Sequence, residues 1–350
     1  MTEQKRPPTL LDVARDAGVS SNTASVVLNG SRSNTRVSEA TRQRVLSAAA
    51  NLSYVPNAMA RGLAQKRTQA IGVLFGVAAG STDYVTNPYM AGILQGVLEA
   101  AGDAGHSVTI YTQRWVNAKV SAPLFRDGRT DGVLVIAPPA TADILAGLAT
   151  VGIPLAAVAC EAAELEIPSA DVDNKAGVEA VVTHLAALGH TRIAIITGET
   201  DMSSTALRTL AFQTTLTAAG IEFDADLVTS CTYSGAGAES AFLGLWNRQQ
   251  RPTAIFACND AIAAGVARAA RSLGVGIPEE LSLVGFDDVP TAAMVTPPLT
   301  TVRQPLQMIG SAATKMLLGR IAGDFYPATA QLLAPELIVR ESTCRVGSDR

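Results

Sequence analysis

From residue 70 to about residue 290 the chain alternates continuous apolar runs with amphipathic helical stretches, and it does so twice in the same order. The first pass reads AIGVLFG, a helical stretch near NPYMAGILQGVLEAAGDAG, then HSVTIY, DGVLVIA and IPLAAVAC. The second reads RIAIITG, a helical stretch near ALRTLAFQTTLTAAG, then DLVTS, AIFACND and LSLVGFDD. Apolar runs without polar alternation must be buried on both faces, which restricts them to parallel strands covered by helices. An order that repeats after about 120 residues points to a duplication, two α/β lobes around a cleft. The predicted body is thus a pair of parallel sheets of the kind found in two-lobed binding proteins.

Ligands in open parallel sheets sit beyond the carboxyl ends of the strands, so the polar residues that follow each run are the candidates. Arg208 lies on the helix after IAIITG, Asn259 and Asp260 follow AIFAC, and Asp287 and Asp288 follow LVGF. Asp173 follows the link between the halves, and Tyr233 follows VTSCT. Carboxylates and amides pair with vicinal hydroxyls while an aromatic face covers C–H surface, a set suited to a polyhydroxylated ring. Of the acids, Asp260 or Asp288 is expected to cap a helix instead.

Enzyme chemistry is poorly represented. GxGxxG opening a helix, GxxxxGK[ST], GxSxG and HExxH are all missing. The three histidines (His106, His184, His190) are scattered, as are the four cysteines, so no catalytic residue, cofactor, zinc site or disulfide is expected. No apolar run reaches the roughly 18 residues of a membrane span. The opening MTEQKRPPTLLDVARDAG turns amphipathic at once, unlike a secretory leader. A cytoplasmic location is therefore expected.

Before residue 70 the periodicity is different. Residues 1–69 carry ten Lys and Arg against four Asp and Glu, whereas the rest of the chain carries 17 against 27. A basic head on an acidic body fits a DNA-binding domain joined to a soluble core. Thr9 and Asp12 mark the start of a first helix, LLDVARDA, which Gly18 ends. Ser20 caps a second, SNTASVVLN, with Ala14, Gly18, Ala24 and Val27 at helix-turn-helix spacing. Ser38 caps a third, with Val45, Leu46, Ala49 and Leu52 expected on one face. After Pro56, NAMARGLAQKRT is a short segment with Gly62 in its middle, too weak a helix to stand alone and suited to a hinge that orders on DNA. The predicted domains are a helix-turn-helix head over 1–55, a hinge over 56–69 and the two-lobed body over 70–350. Lobe 1 is placed at about 70–168 plus 298–326, and lobe 2 at about 169–297 plus 327–350.

TLLDVARDAGVSSNTASVVLNG, VSEATRQRVLSAAANLSYVPNAMARGL and IGVLF together strongly resemble the Lac repressor family of transcription regulators. NPYMAGILQGV, VDNKAGV, CNDAIAAG, LVGFDDV and LTTVRQP extend the resemblance over nearly the whole chain. It implies that Ser21, Asn22 and Val26 read bases, and that Thr9, Ser20, Thr23, Ser25, Asn29, Tyr54 and Asn57 hold the DNA backbone. It implies that Leu63 wedges into a central minor-groove step, with Ala60 beside it letting the hinge lie deep. Val26 departs from the family, where Arg is usual, and the loop from Gly30 to Arg36 is longer, which offers Arg32 and Arg36 as further phosphate contacts. For the effector the resemblance implies Asp173, Arg208, Tyr233, Asn259 and Asp287, with Tyr89, Met90 and Gln304 as walls.

The expected function is therefore a transcription regulator, most simply a repressor. It binds a pseudo-palindromic double-stranded operator as a homodimer, under control of a small molecule, a sugar rather than a purine or nucleoside. A transporter's solute-binding protein shares the body but not the basic head. Lobe closure around the effector is expected to change hinge spacing and so DNA affinity, coupling the two by about 1–3 kcal/mol.

Overall fold

The computed structural model describes residues 6–29, 37–57, 61–62, 67–76, 86–160, 162–327 and 329–347. The chain divides into two compact units, Met1–Ala70 with Asp127–Asp131, and Ile71–Arg126 with Gly132–Arg350.

The first unit begins with three helices, α1 (Leu10–Asp16), α2 (Ser21–Asn29) and α3 (Glu39–Asn51). Each start is fixed by a hydroxyl that satisfies an otherwise unpaired helix N–H. Thr9 and Asp12 form a reciprocal capping box, Ser20 Oγ accepts from Thr23 N at 3.1 Å, and Ser38 Oγ from Thr41 N at 3.3 Å. Gly18 turns the chain between α1 and α2 at φ +63°, where a Cβ would be strained. Val13, Ala14, Ala17, Ala24, Val27, Val45, Ala48 and Ala49 close the core, with Leu52 and Tyr54 packed against it. Leu46, expected on that face, is exposed, because the helical period that buries 45, 48, 49 and 52 turns 46 outward. Elsewhere in this unit Asp131 accepts from Thr68 N (2.7 Å), Thr68 Oγ1 (2.9 Å) and Gln69 N (2.9 Å).

The second unit holds two six-stranded sheets. One contains β1 (Ala70–Phe75), β2 (Ser107–Ile110), β3 (Gly132–Ile136), β4 (Leu155–Val158), β5 (Ser169–Val172) and β11 (Ala330–Leu333). The other contains β6 (Ile193–Thr197), β7 (Val228–Ser230), β8 (Ala254–Ala257), β9 (Ser282–Asp287), β10 (Thr300–Arg303) and β12 (Glu336–Ile338). Their orders, β2-β1-β3-β4-β5-β11 and β7-β6-β8-β9-β10-β12, are the same, as the internal repeat predicts. The ladders between β10 and β9 and between β11 and β5 are parallel, whereas β12 runs antiparallel to β10.

Helices in chain order are α4 (Pro88–Asp103), α5 (Ala118–Ser121), α6 (Ile144–Thr150), α7 (Asn174–Ala187), α8 (Ser203–Ala218), α9 (Ala238–Trp246), α10 (Asp260–Ser272), α11 (Pro290–Met294) and α12 (Leu306–Ala322). The chain passes between lobes at 172–174, 303–306 and 333–336. Thus β5 belongs to the first lobe and β10 to the second, the reverse of the predicted division, and β11 also lies in the first. Strand pairing decides this, and an apolar run carries no mark of which sheet it joins. α4 and α12 meet backbone to backbone. A Cβ on Gly96 would fall 1.9 Å from Gln307 O, and one on Gly310 2.1 Å from Ile93 O. Among the described residues no helix is long and apolar enough to cross a membrane, and no cluster of metal-ligating side chains occurs.

Candidate functional site

In the first unit the N-terminal turn of α2 presents Ser21 and Asn22 to solvent, with Thr9, Ser20 and Asn57 also exposed. Thr23, Ser25 and Asn29 are half-buried, and Asn29 Nδ2 donates to Ser25 Oγ at 3.0 Å. Helix α2 carries no charge, so its first-turn N–H groups and hydroxyls are its polar offer to an anion. Val26 departs from the reading drawn from resemblance. It is only 8% exposed, although it is not among the residues of the three-helix core that Ala24 and Val27 join. Arg15 on α1 and Arg42 and Arg44 on α3 are exposed and add positive charge to the surface of this unit. Arg36, Ala60 and Leu63 lie outside the described residues. Next to them, Arg61 N donates to Asn57 O at 3.0 Å, a helical spacing.

In the second unit the carboxyl ends of both sheets enclose a cavity of about 370 Å³. Of the eight residues expected there, Tyr89, Met90, Arg208, Tyr233, Asn259 and Asp287 line it, and Asp173 and Gln304 do not. Asn87 caps α4 by accepting from Tyr89 N (3.0 Å) and Met90 N (3.4 Å), which sets those two residues at the end of β1. Tyr233 is held on several sides. Its hydroxyl meets Ser204 Oγ (2.9 Å) and Thr205 Oγ1 (3.0 Å), its N–H donates to Glu199 Oε2 (2.9 Å), and its carbonyl accepts from Asn259 Nδ2 (2.7 Å). Gly198 makes room for the ring, since a Cβ there would lie 2.2 Å from it.

Arg208 is buried with its guanidinium 3.7 Å over the ring of Phe286. It donates through Nε to Asn174 Oδ1 at 2.8 Å and through Nη1 to the Cys258 carbonyl. Asn174 Nδ2 passes the chain of bonds on to Asp171 Oδ2 at 3.1 Å, so Asp171 of the first lobe and Asn174, Arg208 and Cys258 of the second share one network. Asp287 ends β9 at φ +114°, and its Oδ1 accepts from Gln304 Nε2 at 2.6 Å. A non-glycine residue held at such a φ is strained backbone of the kind found at binding sites.

Asp173 stands at the first lobe crossing, where it caps α7 by accepting from Ala176 N at 2.9 Å. Asp171, two residues earlier and still inside β5, lines the cavity instead. Gln304 stands at the second crossing, behind Asp287, and its Oε1 has no partner among the described residues. Neither Asp260 nor Asp288 caps a helix. Asn259 caps α10, while Asp260 accepts from Thr301 Oγ1 (2.5 Å) and Val289 N (2.9 Å). Asp288 pairs with Arg303 (2.7 Å) and Arg340 (2.6 Å). Sequence reasoning missed Asp171, Asn174, Glu199, Asp201, Met202 and Ser204. Glu199 and Asp201 had a signal, since they follow a strand end as Asn259 does. The three histidines serve elsewhere, with His190 held among Thr253, Ser282 and the Cys344 carbonyl.

Burial dominates the acids. It pushes Asp171 up to about 6, against the N–H of Val172, Arg208 and Asn174. Burial likewise raises Asp287, and it raises Asp260, which Asp287 then repels further. For a carboxyl raised in the folded state, the native chain holds more protons than the unfolded one between the two values. Stability then falls as pH climbs from about 4 to about 6. The contribution of Asp171 to that fall is about 3 kcal/mol. Asp171→Asn should therefore gain about 3 kcal/mol on the native chain between pH 4 and pH 7, measured by urea unfolding at both. A difference independent of pH would show that Asp171 ionises as freely as an exposed acid.

Two family models match the chain. Residues 9–57 match bacterial regulatory proteins of the lacI family, and residues 182–343 match the periplasmic binding protein-like domain. The chain is 32% identical to the HTH-type transcriptional regulator CelR of Thermobifida fusca over 343 residues, 97% of this chain and 99% of that one. It is 30% identical to the HTH-type transcriptional repressor PurR of Photobacterium profundum, covering 95% of this chain and 98% of that one. The Lac repressor dimer bound to operator and the anti-inducer ONPF superimposes with a TM-score of 0.82 at 28% identity, over 97% of this chain and 100% of that one. A transcriptional regulator CelR–cellobiose complex does so with a TM-score of 0.72 at 30% identity, over 96% and 99%.

Proposed function

The chain belongs to the lacI family of bacterial regulatory proteins, and from that premise we propose that its cleft senses a neutral sugar. It is a helix-turn-helix transcription regulator that binds operator DNA as a dimer under the control of a small-molecule effector. The sugar, the contact residues and the domain limits are our reading. So are the absence of catalysis and an intracellular place of work, where operator DNA is.

The observation that carries the sugar is the charge of the cavity. Among the described lining residues Arg208 is the one cation, already bonded to Asn174 and the Cys258 carbonyl, and Asp171, Glu199, Asp201 and Asp287 line the same cavity. Acceptors outnumber donors, so the complementary ligand donates through many hydroxyls and carries no phosphate or carboxylate. Asp287, with one oxygen engaged by Gln304, offers the other to paired hydroxyls, and Asn259, which caps α10 and holds Tyr233, offers its remaining N–H. Tyr89 and Tyr233 cover C–H faces of the ring.

On the DNA side we assign base reading to Ser21 and Asn22, and backbone contacts to Thr9, Ser20, Thr23, Ser25, Asn29, Tyr54 and Asn57. Arg36 at the loop and Ala60 and Leu63 at the hinge complete that set. Val26 reads a base only after a shift that exposes it. Residues 1–55, 56–69 and 70–350 are taken as head, hinge and body.

The test is a melting-temperature series on the full chain with glucose, cellobiose, glucose 6-phosphate, hypoxanthine and adenosine. A ligand at about 100 times its Kd adds about 2.7 kcal/mol. Neutral sugars should stabilise the chain and the phosphate ester should not. A second reading, a purine stacked on Tyr233, has in its favour the fixed ring, and stabilisation by hypoxanthine or adenosine alone would replace the sugar with it.

A further inference from the structure

Beside the inner cavity the second lobe carries an outer one of about 680 Å³, opening onto the surface. Glu199, Asp201 and Thr232 border both, so the two spaces adjoin along that lip. The outer wall includes Thr229, Ser230, Cys231 and Ser240, and no Lys, Arg or His is among the described lining residues. Its location follows from the fold. β7 is the edge strand of its sheet, so the chain beyond Ser230 has a neighbour on one side only. Small residues at the start of α9 (Ala236, Gly237 and Ala241) keep the space open. Gly237 sits at φ +88°, where a larger residue would be strained.

We propose that this outer groove is a second sugar subsite, holding the next ring of an oligosaccharide whose first ring occupies the inner cavity. The inference rests on the neutral-sugar reading of the cleft. A groove walled by hydroxyls and carboxylates suits a chain of hydroxyl donors. Among its described lining residues it offers no cation to a phosphodiester, and its apolar surface comes from small residues, Cys231, Ala236, Gly237 and Ala241, with no large side chain to grip a peptide anchor. The lip between the two spaces is also a seam between lobes. Ala140 N donates to Asp201 O at 2.6 Å, and Thr141 Oγ1 to Asp201 Oδ2 at 3.4 Å. An occupant that spans both spaces passes this seam, so the effector's length bears on lobe closure as well as on affinity.

Calorimetric titration of the full chain with glucose, cellobiose, cellotriose, maltose and maltotriose tests it. One linkage series should bind at least about tenfold more tightly as a disaccharide than as glucose, the gain of one or two net hydrogen bonds. Ser240→Trp, on the exposed face of α9, fills the groove and should reduce that ratio to about one. Ser230→Trp repeats the block from β7, should the first variant not fold. A disaccharide that binds no better than glucose, or an advantage that survives both substitutions, overturns the subsite while leaving the sugar reading intact. Binding of hypoxanthine or adenosine with no sugar bound overturns the sugar reading, and the subsite with it.

Discussion

Arg208→Met should abolish the effector response and lower the stability of the chain by about 3–5 kcal/mol, the cost of breaking a buried charge network from one side. Methionine keeps much of the volume over Phe286 but carries neither charge nor donors. Asn174 Oδ1 and the Cys258 carbonyl lose their partner, and the buried acids Asp171 and Asp287 lose the cation that opposes their burial. Both should then take up protons at still higher pH. Urea unfolding gives the stability, and operator affinity with and without saturating sugar gives the response. An Arg208→Met chain that unfolds within about 1 kcal/mol of the parent and still answers the effector would remove Arg208 from both roles. The operator affinity measured without effector serves as the check that the head, a separate unit, is intact.

Gly96→Ala is the second large effect, and it acts through packing alone. A methyl at 96 would collide with the backbone of α12 at Gln307, which no rotamer change relieves. The helices must part, and α12 carries Ile309, Ala313 and Leu317 into the core and begins two residues after Gln304. A loss of about 3 kcal/mol is expected, the upper end of the usual overpacking cost. Gly102→Ala, in the same helix with nothing within 4 Å, should instead stabilise the chain by about 0.5 kcal/mol through helix propensity. Opposite signs from two Gly→Ala changes in α4 separate contact from propensity. If Gly96→Ala proved as benign as Gly102→Ala, the close helix contact would be wrong.

The periodic parts of the chain were read well from sequence. Thr9, Ser20 and Ser38 cap where the hydroxyl before each apolar stretch placed them, and Gly18 makes the turn. Strands β1–β4 and β6–β9 fall on the predicted runs, with the inner ones β1, β3, β4, β6, β8 and β9 almost wholly apolar because both their faces are buried, whereas β5, β10, β11 and β12 lie on no predicted run. Tyr89, Arg208, Tyr233, Asn259 and Asp287 reach the cavity because strand ends converge there in any sheet of this kind.

What failed depended on one-residue or between-segment choices. Asp171 and Asp173 stand two apart around the end of β5, and only the place where the ladder stops decides that the first faces the cavity and the second caps α7. Val26 adjoins core position Val27 in the chain, and its burial is a property of the folded head that the family spacing does not record. The sequence by itself therefore determined the local structure, the duplication and the pool of site residues, since short-range hydrogen bonding and burial period leave their pattern in consecutive residues. Which lobe β5 and β10 join, which acids gather around Arg208, and where the outer groove opens beside β7 were decided only by the tertiary structure. Those depend on pairings between residues far apart in the chain, and no local pattern records them.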